Sequence, residues 1–171
     1  EGAEVIVEHC DAAVEGQPFQ KGFLTIDEEI TAMTAANRNL DRPVAGSLNW
    51  GRSAIEERSA TAATHHAAAL LDAGLMRGVI FSGCGAVETA YGVWQDTHMP
   101  HRREPYTAAF AEDALLTEHE MQLLLAQCRG VDLGFLGIKI AARPLDAPVG
   151  RRIALLRSAL EVLASAYIAT R

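Results

Sequence analysis

The chain has 171 residues, 49% of them hydrophobic, which fits one folded domain with a sizeable core. Its formal charge of -7, from 15 Lys and Arg against 22 Asp and Glu, speaks against nucleic acid or an anionic membrane as partner, since both attract clustered basic residues. Cys10, Cys84 and Cys128 form no C-x-x-C pair and no apolar run is long enough to span a bilayer, so reduced cysteines in a cytoplasmic protein are expected, without a disulfide framework or a cysteine zinc site.

Short apolar runs alternate with longer amphipathic ones four times. Glu4 to Glu8 is β-rich and leads through a loop with Gly16, Pro18 and Gly22 into a helix from Ile26, where Thr25 and Glu28 make a capping box and Ile26, Ile30 and Met33 share a buried face. Val44 to Leu48 is followed by a helix from Ala54 to Ala73 that Gly74 ends. Gly78 to Ser82 begins the third unit, whose connection from Gly83 to Pro105 is long enough for a lid or an interface segment, before a helix over Thr117 to Cys128. Leu133 to Ile140 is the fourth strand, and the last helix carries Ile153, Leu156, Leu160, Leu163 and Tyr167 as one stripe.

Strands apolar on both faces belong to a parallel sheet covered by helices, so the fold class is α/β. Two architectures fit: an open doubly wound sheet, or part of a closed (β/α) barrel. No G-x-G-x-x-G and no P-loop sequence stands at a strand-to-helix turn, which leaves the nucleotide-binding open folds without support.

In either architecture function gathers at the C-terminal strand ends. These read Glu8-His9-Cys10-Asp11, Asn49-Trp50-Gly51-Arg52, Ser82-Gly83-Cys84-Gly85 and Gly137-Ile138-Lys139. Side-chain alternation aims Glu8, Asn49, Ser82 and Lys139 at one interior, with Val7, Leu48, Phe81 and Ile138 toward the helices. An amide, an indole, a permissive glycine and a guanidinium suit a sugar, although an Asx-type turn and a surface arginine account for the same residues. Cys84 reads as a small buried thiol. His65 and His66 are adjacent in an Ala-rich helix and cannot both face a site, and His119 is expected in solvent.

The words VIVEHCDA (5–12), LNWGRSAIE (48–56), GVIFSGCG (78–85), WQDTHMPHR (94–102) and DLGFLGIKIAARP (132–144) resemble the C-terminal half of a xylose-isomerase-like TIM barrel, strands five to eight, in a branch known only as a domain of unknown function. Metal-dependent members of that superfamily place Glu, Asp, His and a last carboxylate around a divalent cation. Glu8 matches the first position. Asn49, Ser82 or Gly83, and Lys139 stand at the other three, and these are poor ligands for a hard dication.

The residues themselves imply no cofactor. Through the resemblance a divalent metal enters, and if it is bound, Glu8, Asp11, Asp96 and His98 are its expected ligands. The resemblance implies isomerisation or epimerisation of a small carbohydrate or sugar acid by proton abstraction next to a carbonyl. Glu8 is the expected base, Lys139 the cation in place of the metal, and His98 a second acid or base. Asn49, Trp50, Arg52, Ser82 and Trp94 are the expected substrate contacts. The rival is a carbohydrate-binding or regulatory barrel that has lost the chemistry. A TIM barrel needs about 250 residues, so a second copy or an N-terminal half is expected to cover the sheet edges.

Overall fold

The computed structural model describes residues 3–102 and 111–171. Its elements are β1 (Ile6–Glu8), α1 (Ile26–Asn37), β2 (Ala45–Asn49), α2 (Trp50–Glu57), α3 (Ala62–Asp72), β3 (Met76–Phe81), α4 (Glu118–Gln127), β4 (Phe135–Ile138) and α5 (Val149–Ala169). All strand pairs are parallel and the sheet order is β1-β2-β3-β4. Parallel crossovers are right-handed, so strands laid down in sequential order send their helices to the same face. Among the described strands the order never reverses, and the switch point of a doubly wound sheet is missing from them. No described helix is long and apolar enough to cross a membrane.

The pleat sorts the side chains. Leu48, Val79 and Phe81 point to the helices, are fully buried, and join Ile55, Leu70 and Leu124 in one core. Each such burial contributes about 1.5–3 kcal/mol. Val7, on the edge strand β1, stays 37% exposed. The opposite face carries Ser47, Asn49, Gly78, Ile80 and Gly137, with Ser82 and Lys139 just beyond the strands. Phe135 lies so close over Gly78 that a Cβ there would meet its ring at 2.3 Å.

The caps hold as the residues dictate. Thr25 and Glu28 form a reciprocal capping box on α1. Thr117 accepts the Glu120 amide at α4, and Gly74, with φ +68°, follows the C-cap of α3. Two expectations change. The helix expected over 54–73 is two helices, because Arg58 adopts a left-handed conformation (φ 53°) and ends α2. That conformation costs about 1–2 kcal/mol for a residue with a Cβ. It is offset by the guanidinium, which donates to Gln17 Oε1 and to the carbonyls of Pro18 and Trp94 and lies over the Trp94 ring. On α5 the buried face is Leu155, Ala159, Val162, Leu163 and Ala166. Ile153, Leu156 and Leu160 are about half exposed, so the expected stripe is split between two faces.

Candidate active site at the strand ends

Glu8 ends β1 and receives a 2.7 Å hydrogen bond from Asn49 Nδ2, while Lys139 Nζ lies 3.6 Å from the same oxygen. Asn49 also caps α2, its Oδ1 accepting the Arg52 amide at 3.3 Å. The turn-forming reading of this residue is therefore realised, and the same side chain also holds Glu8. Space around Gly137 is open on the side where Lys139 extends, since a Cβ built there meets nothing within 4 Å.

The long connection after β3 supplies the rest. It folds back on the strand end through antiparallel bridges between Gly83 and Met99 and between Gly85 and Ala114. His98 (φ 59°) and Trp94 (φ 50°) both take left-handed backbone conformations, the strained kind that recurs at functional sites. His98 Nδ1 is 3.3 Å from Ser82 Oγ and 3.2 Å from Asp96 Oδ1, which leaves Nε2 as the nitrogen directed away from these anchors. Burial lowers the His98 pKa. Asp96 works against this, and the charges of Lys139 and Arg52 reinforce it, so the imidazole is neutral near pH 7. The end of the connection at Pro105 lies outside the described residues.

Arg52 binds these pieces together. Its guanidinium donates 2.7 Å to Asp11 Oδ1 and pairs with Asp96 Oδ2, and its side chain is only 5% exposed. Asp11, fully buried, also accepts the Gln20 and Lys21 amides through Oδ2. Three of the expected substrate contacts take other places. Trp50 is fully buried in the core, because as the first residue of α2 its ring turns inward. Arg52 is spent on two carboxylates. Trp94 is half-buried against Arg58. Asn49 and Ser82 are buried behind Glu8 and His98, so of these strand-end residues Glu8, Lys139 and His98 are the ones left accessible.

The divalent ion implied by the resemblance does not fit this arrangement. Arg52 sits between Asp11 and Asp96, and Lys139 approaches Glu8. The protein's own cations stand where the carboxylates would have to hold the metal.

Sequence reasoning missed a second cluster on the helix side, formed by His9, Glu29, Glu56 and His66. Burial acts to lower the His9 pKa, but the two carboxylates beside it prevail and raise it to about 9. In the sequence His9 stood only among the polar residues at the end of the first strand, beside Cys10 and Asp11. Cys84 is buried as expected, and burial lifts its thiol to about 12. His65 is exposed, His66 is in the core, and His119 is exposed.

Comparison with known proteins gives a family but no activity. An "Uncharacterized protein STM3670" of Salmonella typhimurium (strain LT2) is 30% identical over 163 residues, covering 95% of this chain and 48% of that protein. The chain thus spans about half the length of the curated relative it matches. No solved structure matches it. The sequence profile described as "Domain of unknown function (DUF4862)" matches residues 1–155, and the chain belongs to that family.

Proposed function

We propose that the strand-end site binds a small carbohydrate or sugar acid and moves a proton next to its carbonyl, as an isomerase or epimerase does. The observation that carries this reading is the convergence of Glu8, Lys139 and His98 as the accessible groups over a buried polar floor of Asn49, Ser82 and Asp96. Glu8 takes the proton. The Lys139 ammonium stabilises the oxyanion that develops as the carbon is deprotonated, a role for a fixed charge in a partly dry site. Glu8 returns that proton to the substrate carbon, while His98, neutral with its proton on Nδ1 toward Asp96, offers Nε2 to accept a substrate hydroxyl proton and pass it to the oxyanion.

We further propose that the four units are consecutive parts of a (β/α) barrel, which the sequential order of the strands supports. The free edges of β1 and β4 are then covered by a second copy or an N-terminal half. The test is a panel of aldoses, ketoses and sugar acids, with and without phosphate, followed by calorimetry and product analysis. Conversion of one compound, lost in Lys139→Met, supports the proposal. Binding without conversion favours a regulatory barrel, and no binding of any compound refutes both.

A further inference from the structure

His9 leaves β1 on the face opposite Glu8 and meets α1, α2 and α3 in a cluster that the strand-end chemistry does not use. Its Nδ1 is 3.0 Å from Glu29 Oε2. Its Nε2 is buried and faces Glu56 Oε2 at 3.2 Å without the alignment of a hydrogen bond, on a side chain 1% exposed. His66 comes from α3 with Nδ1 3.0 Å from Ser53 Oγ, and Nε2 3.1 Å from Glu57 Oε1 and 3.9 Å from Glu56 Oε1. The two rings stand edge to face, 4.9 Å between centroids.

Each imidazole is thus held by an outer partner at Nδ1 and aims Nε2 at the same carboxylate. That is how ligating histidines are oriented: the outer nitrogen on a carboxylate or hydroxyl, the inner one toward the ion. The ligand atoms of His9, Glu56 and His66 lie within 4.8 Å of one another. Bonds of about 2.0–2.1 Å to a tetrahedral zinc place neighbouring ligands about 3.3–3.4 Å apart, and the His9–Glu56 and His66–Glu56 separations of 3.2 and 3.9 Å bracket that spacing. Binding displaces the proton that His9 holds between Glu29 and Glu56, and the carboxylates of Glu29, Glu56 and Glu57 remain to balance the incoming ion. The Ser53–His66–Glu57 alignment has the outline of a nucleophile triad, but Ser53 is fully buried, so no substrate can reach it.

We propose that His9 Nε2, His66 Nε2 and Glu56 form a three-residue site for a zinc-like divalent transition ion that ties β1 to α2 and α3, with solvent from the Glu57 side completing the coordination. Imidazole nitrogens with carboxylate oxygen suit zinc or cobalt rather than magnesium or calcium. Glu57, whose side chain is 37% exposed beside three that are nearly closed off, gives the ion its way in.

The experiment is titration of the untagged, chelator-stripped chain with Co2+, read by visible absorption, with Zn2+ as competitor and elemental analysis for stoichiometry. One equivalent of cobalt with the intense absorption of a tetrahedral centre is expected. Glu56→Gln and His66→Asn should each weaken binding at least about 100-fold, and Glu29→Gln about 10–100-fold as an outer partner. Glu8→Gln should bind cobalt like the parent, which separates this site from the strand ends. Circular dichroism checks that each variant is folded, and the parent's spectrum decides the question if one is not. No cobalt uptake at millimolar concentration, a weak six-coordinate spectrum, or binding lost in Glu8→Gln and kept in Glu56→Gln overturns the proposal.

Discussion

Replacing Arg52 with Met separates a structural from a substrate-binding arginine. The substitution keeps an apolar stem of similar length and removes the guanidinium from between Asp11 and Asp96, whose side chains are 0% and 10% exposed. Removing one partner of a buried ion pair leaves the other as an uncompensated charge, at a cost of about 3–5 kcal/mol. Here part of that cost is relieved, because Asp11 keeps the Gln20 and Lys21 amides and Asp96 keeps His98. The lower end, about 3 kcal/mol, is therefore expected. For a chain of this length each kcal/mol moves Tm by about 2–4 °C, so the variant should melt about 6–12 °C lower. Chemical denaturation with the Asp96→Asn variant and the double variant closes the cycle, and a coupling above about 1 kcal/mol is expected. A loss below about 1 kcal/mol, the range of exposed pairs, would refute the view that Arg52 holds the site together.

Gly51→Ala should lose about 2 kcal/mol, because the new Cβ falls 2.5 Å from the Ser82 carbonyl, a backbone group, so the upper end of the overpacking range, about 3 kcal/mol, stands against a helix gain of about 1 kcal/mol; thermal denaturation reads it. Cys84 and Cys128, lifted by burial to about 12 and about 11, stay protonated at pH 8 and should resist thiol reagents until the chain unfolds. Because both folded values lie above the unfolded thiol value of about 8.5, their contribution to stability is complete below that pH and is lost as pH rises through the folded values, which alkaline denaturation follows. Leu156→Glu with Leu160→Glu, on the exposed α5 stripe, should raise the monomer fraction in light scattering without lowering Tm; an unchanged mass would remove that stripe from any interface.

Much of the framework was legible because its causes are local. Thr25 with Glu28, and Gly74 after α3, announce helix ends through neighbours a few residues apart. Strands apolar on both faces announce a parallel sheet. The break at Arg58 was hidden, since no glycine or proline marks it and its support comes from Gln17, Pro18 and Trp94. On α5 the larger side chains suggested one face, whereas the core took the face with Ala159 and Ala166, whose small side chains let α5 lie against α4. At the strand ends, pleat alternation foretold that Glu8, Asn49 and Lys139 would meet. It could not foretell that Trp50 turns inward, or that Glu29, Glu56 and His66 gather around His9 from three helices.

Solvent deuterium reports directly whether Glu8 moves a proton at a carbon next to a carbonyl, without knowledge of the product. The chain is incubated in deuterated water with the sugars and sugar acids of the panel, and proton NMR follows the signal at the carbon beside the carbonyl. Exchange is expected in one compound with the parent chain, and none in Glu8→Gln even though that variant still binds it. Exchange at the same rate in Glu8→Gln, or a bound compound that never exchanges with the parent chain, would contradict proton transfer by Glu8.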